Sequence, residues 1–425
     1  MSRFGKENIL NIYSKNAKKS IYYSIRVDLF LIISLIILII SPFVIKRFIH
    51  LNNERKQKVL LLSPQFEELF GGEITEILLQ EFLKRDSYLR IQSLKLPEDK
   101  ETVPDIFIYD EGNYSSLIDE GILAKLKLSE KEQLAIQLVS FMPLLFYNID
   151  ILTVAGFDRP PKTRDEFIKY AKAVSGSNET QLANTAGAAI SLSPKDRNAV
   201  QRDIFSWIWA SGGDFWQEGN RPILNVKTMA GDIAFLGRLY NDRLLAYRIF
   251  ETTGEQRLED FADGKIAMMI AYTSVIPFLR ERMGDNSFGI TNIPGSGSAG
   301  KYNTGISSIY AGINVNCEYP DEALDFLSFL EELKPVFCET LKAVPGVVSD
   351  IIPGNYIRND PFYSKSQDIF VSSAIVQGFS GKPSADEYEN AFLEELQIFF
   401  RTTRTAEDTI TAIQNRWDEI FYRIK

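Results

Sequence analysis

The chain has 425 residues, 45% of them hydrophobic and 24% charged, with a net charge of −9. That length exceeds one ordinary core and suits two globular lobes. The charge is segregated: residues 1–58 carry 11 basic and 3 acidic side chains, a net of +8, and the remainder carries −17, which excludes a nucleic-acid binder, since that needs a basic globular surface.

Residues 1–28 form a basic leader containing Arg3, Lys6, Lys15, Lys18, Lys19 and Arg26. Leu29 to Ile45 follows as 17 residues without a charge, bounded by Asp28 and by Lys46-Arg47. This reaches the lower limit for a membrane-spanning helix, about 17–25 residues. No A-x-A cleavage pattern follows, and the only cysteines are Cys317 and Cys338, so an uncleaved single-pass anchor fits better than a signal peptide or a lipid-modified cysteine. Positive charge is nearly balanced across the span and does not orient it, but a basic leader suits the anionic cytoplasmic leaflet. Residues 46–58 read as a polar stalk.

Beyond the stalk, Val59 to Leu62 is a short apolar strand entering Ser63-Pro64-Gln65. Ile74 to Leu83 has helical spacing, Leu89 to Leu94 alternates as a strand, Pro104 to Tyr109 is a third strand, and Leu117 to Leu126 reads as a helix broken at Gly121. This order predicts a doubly wound α/β lobe with a largely parallel sheet. Ligands of such sheets bind at the carboxyl ends of the strands, which selects Ser63, Gln65 and Glu67 after the first strand and Tyr109, Asp110 and Glu111 after the third. In Phe141 to Val174 an apolar strand runs into Tyr147-Asn148, and a short helix closed by Gly156 leads to a Pro160-Pro161 turn. Thr163 and Glu166 then form a T-x-x-E capping box ahead of Phe167, Ala171 and Val174 at helical spacing.

Catalysis has little to work with. His50, just past the apolar run, is the only histidine, which argues against a Ser-His-Asp triad or a histidine-ligated metal. A two-carboxylate hydrolase rests only on the abundance of acids. Gly295 to Gly300 satisfies G-x-G-x-x-G, but Pro294 precedes it and Lys301-Tyr302-Asn303 follows, so it lacks the strand and helix of a dinucleotide fingerprint. No catalytic residue, metal or cofactor is expected. Aromatic rings suit the apolar faces of a sugar. Trp207 and Trp209, two apart on a helix, point about 200° from each other, so at most one faces a cleft; Trp216, after Gly212-Gly213, suits its rim. The two cysteines, 21 positions apart, neither require nor exclude a disulfide.

The order of residue types in 141–174 resembles the hinge-proximal segment of the family 1 extracellular solute-binding proteins, the receptors of sugar-type ABC importers. Residues 105–126, DIFIYDEGNYSSLIDEGILAKL, resemble that family's strand, aromatic and acidic loop; 206–216, SWIWASGGDFW, its helix ending in Gly-Gly; and 260–277, DFADGKIAMMIAYTSVIP, its "A-M" strand and pocket loop. FGITNIP at 288–294 and the stretch beginning GISSIYAGINVN resemble its second crossing and its return to the first lobe. The resemblance implies a two-lobe periplasmic-binding-protein fold, type II-like, with crossing hinge strands. Lobe one would take 59–143 and 295–333, and lobe two 144–294 and 334–425. It implies no enzyme but a receptor outside the membrane, which closes on an oligosaccharide or polyol and delivers it to ABC permease subunits, held to the inner membrane by residues 29–45. Implied ligand contacts are Tyr109, Trp209 and Trp216, with Tyr272, Thr273 and Ser274 in the pocket loop, where relatives often carry a glycine and a tryptophan, and Tyr302 and Ser307 on the return. A membrane-anchored sensor or scaffold that keeps the fold is the alternative.

Overall fold

The structure, a computed structural model, describes residues 58–85, 89–94, 102–126, 133–177, 182–196, 199–216, 221–296, 302–341, 343–344, 360–376, 378–379 and 381–425. Leu60–Arg85 and Ile91–Lys425 form one compact unit; of the other, Met1–Val59 with Asp86–Arg90, only 58–59 and 89–90 are among the described residues. The expected span at 29–45 and His50 lie outside them. Among the described residues no helix is long and apolar enough to cross a membrane.

The chain opens with β1 (Lys58–Leu62), α1 (Gln65–Phe70), α2 (Gly72–Leu83), β2 (Leu89–Ser93), β3 (Ile106–Asp110) and α3 (Glu111–Asp119). Next come β4 (Ile136–Phe141) and β5 (Pro143–Asn148), separated only by Met142, then α4 (Ile149–Val154) and α5 (Arg164–Ser175). A π-helix (Val200–Phe205) runs into α6 (Ser206–Ala210), followed by α7 (Val226–Asn241), α8 (Gly254–Ala262), β6 (Met268–Tyr272), α9 (Ile276–Met283) and β7 (Phe288–Thr291). The remainder is β8 (Asn303–Thr304), β9 (Ser307–Ile313), α10 (Pro320–Glu332), α11 (Lys334–Leu341), α12 (Pro361–Ser372), β10 (Ala374–Ile375), α13 (Ala385–Arg401) and α14 (Ala406–Ile424).

Two main sheets result. The first has five strands in the order β2-β1-β3-β9-β4, with β1 parallel to β3 and β9 antiparallel to both β3 and β4. The second has three, β6-β5-β7, all antiparallel. The expected parallel pairing holds between β1 and β3, but β9 runs antiparallel between β3 and β4, so the first sheet is mixed and not largely parallel. Strand β5 is apolar along its length because both its faces are covered, a property usual in parallel sheets but set by burial and not by strand direction. Leu144 and Phe146 join one core with Phe261 and Phe370, and Leu145 joins another with Trp207 and Leu236.

Several local expectations change as well. The helix read at 117–126 begins at Glu111, because the Asp110 carboxylate accepts from the Asn113 N–H at 3.0 Å and starts the helix there. Past Asp119 the chain turns, and Leu123 and Leu126 instead make isolated bridges. Of the capping box only half forms. Thr163 Oγ1 accepts from the Glu166 N–H at 3.2 Å, but the Glu166 carboxylate turns to the Lys162 N–H at 2.7 Å and to Arg159. Phe167, Ala171 and Val174 are buried as their spacing requires, and so are Ile410, Ile413, Trp417 and Ile420 on α14. Cys317 and Cys338 are free thiols.

Candidate functional site

The end of the first sheet is built by hydrogen bonds between β1 and β3. Ser63 donates its N–H to the Ile106 carbonyl at 2.9 Å, and its hydroxyl accepts from the Ile108 N–H at 2.8 Å. The chain then turns outward, so Gln65 is exposed at the start of α1. A cavity of about 380 Å³ opens there, lined by Ser63, Gln65, Leu94, Phe107, Tyr109 and Asn113 among others. It combines apolar wall with a few convergent polar groups, the composition of a small-molecule site.

Tyr109 is the buried ring of this region. Along β3 it shares a face with Phe107, and it packs among Tyr114, Tyr310, Leu123 and Ala135. Its ring stacks on Tyr310 with centroids 6.1 Å apart, and Tyr114 lies 5.3 Å away. Its hydroxyl is buried without a hydrogen-bond partner among the described residues. Burial, with the neighbouring Tyr114 and Tyr310, holds this phenol well above its ordinary pKa, so it stays neutral. Asp110 is exposed and committed to capping α3. Glu111 opens that helix, but its side chain lies outside the described residues. Glu67 is exposed on α1 and is not among the cavity's lining.

The residues expected from the rest of the chain sit elsewhere. Trp207 and Trp209 are both core, 1% and 2% exposed, so neither takes the cleft-facing position that opposite helix directions left open to at most one of them. The physical reason is cover on both sides. Phe167 of α5 meets Trp207 edge-on at 5.1 Å, while Phe205 and Phe215 enclose Trp209. Gly305 also lies against the Trp209 ring, where any Cβ would strike it. Trp216 is half-buried. Its indole N–H donates to the Gly378 carbonyl at 2.8 Å, and the Lys382 ammonium sits 4.7 Å from the ring. Nearby, Gln201 donates to half-buried Glu389 at 2.7 Å, and burial pushes that carboxyl up to about 8.

Thr273 is a fastener. Its N–H donates to the Met142 carbonyl at 3.0 Å, and its hydroxyl accepts from the Met142 N–H at 3.4 Å. The residue after the "A-M" strand thus grips the single residue joining the two main sheets. Tyr272 is half-buried opposite Pro143, Ser274 is exposed, and Ser307 pairs with Phe141 at the start of β9. Tyr302 accepts from the Ile293 N–H at 3.1 Å, and burial pushes its phenol up to about 12. Of the thirteen expected contacts, the structure brings Ser63, Gln65 and Tyr109 to one cavity and Thr273 and Ser307 to the crossing between the sheets.

Sequence reasoning missed Tyr310, Tyr114 and Asn113. Tyr310 stands directly opposite Tyr109 in the β3–β9 register, a pairing across 201 positions that no local pattern signals. It also missed the Gln137, Ser140 and Ser308 cluster, in which the two hydroxyls are 2.8 Å apart and Gln137 donates to both.

A second hollow, about 840 Å³, is lined by Asn184, Lys195, Tyr247, Arg248, Glu251 and Lys265 among others. Behind it lies a buried charge network: Asp203 takes Arg202 at 3.1 Å and Arg257 at 3.0 Å, and accepts from the Ser191 N–H at 2.7 Å. Among the described residues no group of three or more His, Cys, Asp or Glu is placed to hold a metal.

A family model described as bacterial extracellular solute-binding protein matches residues 95–332. No curated protein matches the chain in sequence. Among solved structures, the cyclic alpha-maltosyl-1,6-maltose binding protein of Arthrobacter globiformis is similar with a TM-score of 0.69 at 16% identity, over 85% of this chain and 98% of that one. The sugar-binding protein MalE of Xanthomonas citri gives 0.65 at 13%, over 86% and 98%. A solute-binding protein of an ABC transporter from Thermotoga lettingae, bound with alpha-D-tagatose, gives 0.66 at 15%, over 85% and 99%. These likenesses show an α/β periplasmic-binding-protein fold like that of MalE.

Proposed function

The chain belongs to the bacterial extracellular solute-binding proteins, and from that premise we propose that it captures an oligosaccharide or polyol outside the membrane and hands it to the permease of an ABC importer. It is a receptor and not an enzyme. The observation that carries the reading is the cavity at the carboxyl ends of β1 and β3, where Ser63, Gln65 and Tyr109 converge, the position at which α/β sheets bind ligands. The sugars named for the similar structures agree with it.

The lobes would be 59–143 with 295–333, and 144–294 with 334–425, each built on one main sheet. The hinge would include Met142, held by Thr273. Solute contacted by both lobes favours the closed state in proportion to its differential affinity. Micromolar capture needs about −8 kcal/mol, which a few hydrogen bonds and a stacked ring supply in a preorganised site. Residues 29–45 would tether the receptor beside its permease and raise effective concentration without new contacts, with residues 1–28 inside and 46–58 as stalk.

The engagement of Trp209 and Trp216 in internal packing favours a second reading, a membrane-anchored sensor or scaffold that keeps the fold. Thermal melting of the full chain against maltose, maltotriose, polyols, polyamines and short peptides separates the two. A solute that binds only the native state raises the melting temperature. A rise with sugars or polyols supports the receptor; a rise with polyamines or peptides alone overturns the sugar reading, and none at all favours the scaffold.

A further inference from the structure

Asp119 is poorly placed for its own helix. It is the last residue of α3, whose final turn carries no basic side chain, and Glu120 follows it. A carboxylate there faces the negative end of the helix dipole. Both its oxygens, however, lie 3.1 Å from the N–H of Ser384. Ser384 is the residue before α13, a helix of 17 residues, and makes no side-chain cap of its own. It stands at φ 54°, a left-handed conformation uncommon for serine. The positive end of α13 is therefore capped by a carboxylate from 265 positions away. A second contact lies beside the first: Gly381, at φ 71°, approaches the Tyr114 ring so closely that a Cβ would fall 2.7 Å from its edge. Both points join α3 to the segment leading into α13.

We infer that Asp119 is a positioning residue for closure: its carboxylate caps α13 across the cleft and biases the solute-free protein toward the closed state. The inference rests on the two-lobe reading above, which puts α3 in lobe one and α13 in lobe two. The carboxylate faces an unfavourable dipole when the lobes part and a favourable one when they meet, so its interaction differs between the two states, as a conformational bias requires.

The test needs no solute. Nitroxide labels are placed on the full chain at Glu73→Cys and Glu407→Cys, both exposed, in a Cys317→Ser, Cys338→Ala background, and the interlobe distance distribution is measured by pulsed electron resonance. Asp119→Ala is expected to shift the closed-to-open ratio about two- to fivefold toward open. Asp119→Asn, which keeps an acceptor oxygen, shifts it less. Gly381→Ala, which drives a methyl group against Tyr114, shifts it in the same direction as Asp119→Ala. Two distance populations in the parent with an unchanged ratio in Asp119→Ala overturn the latch alone. A single distance in the parent and in every variant overturns the two-lobe reading and the latch together.

Discussion

Two hollows among the described residues differ in what their walls are already doing. The larger, at about 840 Å³, is walled by charges engaged with one another: Arg248 with Glu251, and Lys265 with Asp260 at 2.9 Å. Its backing, the Asp203 network, is structural. The smaller, at about 380 Å³, presents an exposed Gln65 and apolar wall at the ends of two strands, beside a tyrosine hydroxyl that no described group satisfies. Size would select the first; walls not committed to ion pairs, an exposed Gln65 and position in the sheet select the second.

The largest expected effect tests whether the wall behind the larger hollow is structural. Asp203→Ala leaves Arg257 buried without its carboxylate, and should lower stability by about 3–5 kcal/mol, read by urea denaturation of the full chain. A loss below about 1 kcal/mol would make that network dispensable and reopen the hollow as a site. The two regions also differ in what titrates. The phenol of Tyr109 stays neutral over the accessible range, whereas Glu389, near Trp216, is raised from 4.5 to about 8, chiefly by burial. The unfolded chain ionises first, so Glu389 favours the fold fully below about pH 4.5, and that advantage is lost as pH rises to about 8. Glu389→Gln should flatten stability against pH across that window; an unchanged slope would place the titration elsewhere. The smallest effect is at Tyr109→Phe. Removing an unpartnered buried hydroxyl should leave stability unchanged or raise it by up to about 1 kcal/mol, and a clear loss would reveal a partner for that oxygen.

Much of the fold was legible in the chain because it is written locally. The turn at Gly156, the Thr163 cap and the buried stripe of α5 all depend on residues a few positions apart. Sheet direction was legible in part: β1 and β3 pair parallel as their spacing implies, but the antiparallel β9 enters the same sheet from about 200 positions away, which no local pattern signals. The candidate cavity was legible only at strand ends, where Ser63, Gln65 and Tyr109 follow from a topological rule. The tryptophans show the limit. Helical geometry gave Trp207 and Trp209 opposite directions correctly, but much of their cover comes from Phe167 of α5, Gly305 and Gly378, partners distant in sequence. Tyr310 opposite Tyr109 was hidden for the same reason.

The claim that solute binds at the end of the first sheet is tested most directly by calorimetric titration of the full chain, Gln65→Ala and Tyr247→Ala with the sugar or polyol that most raises the melting temperature. Gln65 and Tyr247 are both exposed, so neither change disturbs the core. The expected result is a roughly tenfold weaker affinity in Gln65→Ala, about 1.4 kcal/mol, and none lost in Tyr247→Ala. The reverse pattern, with Gln65→Ala unchanged and Tyr247→Ala weakened, would contradict the account.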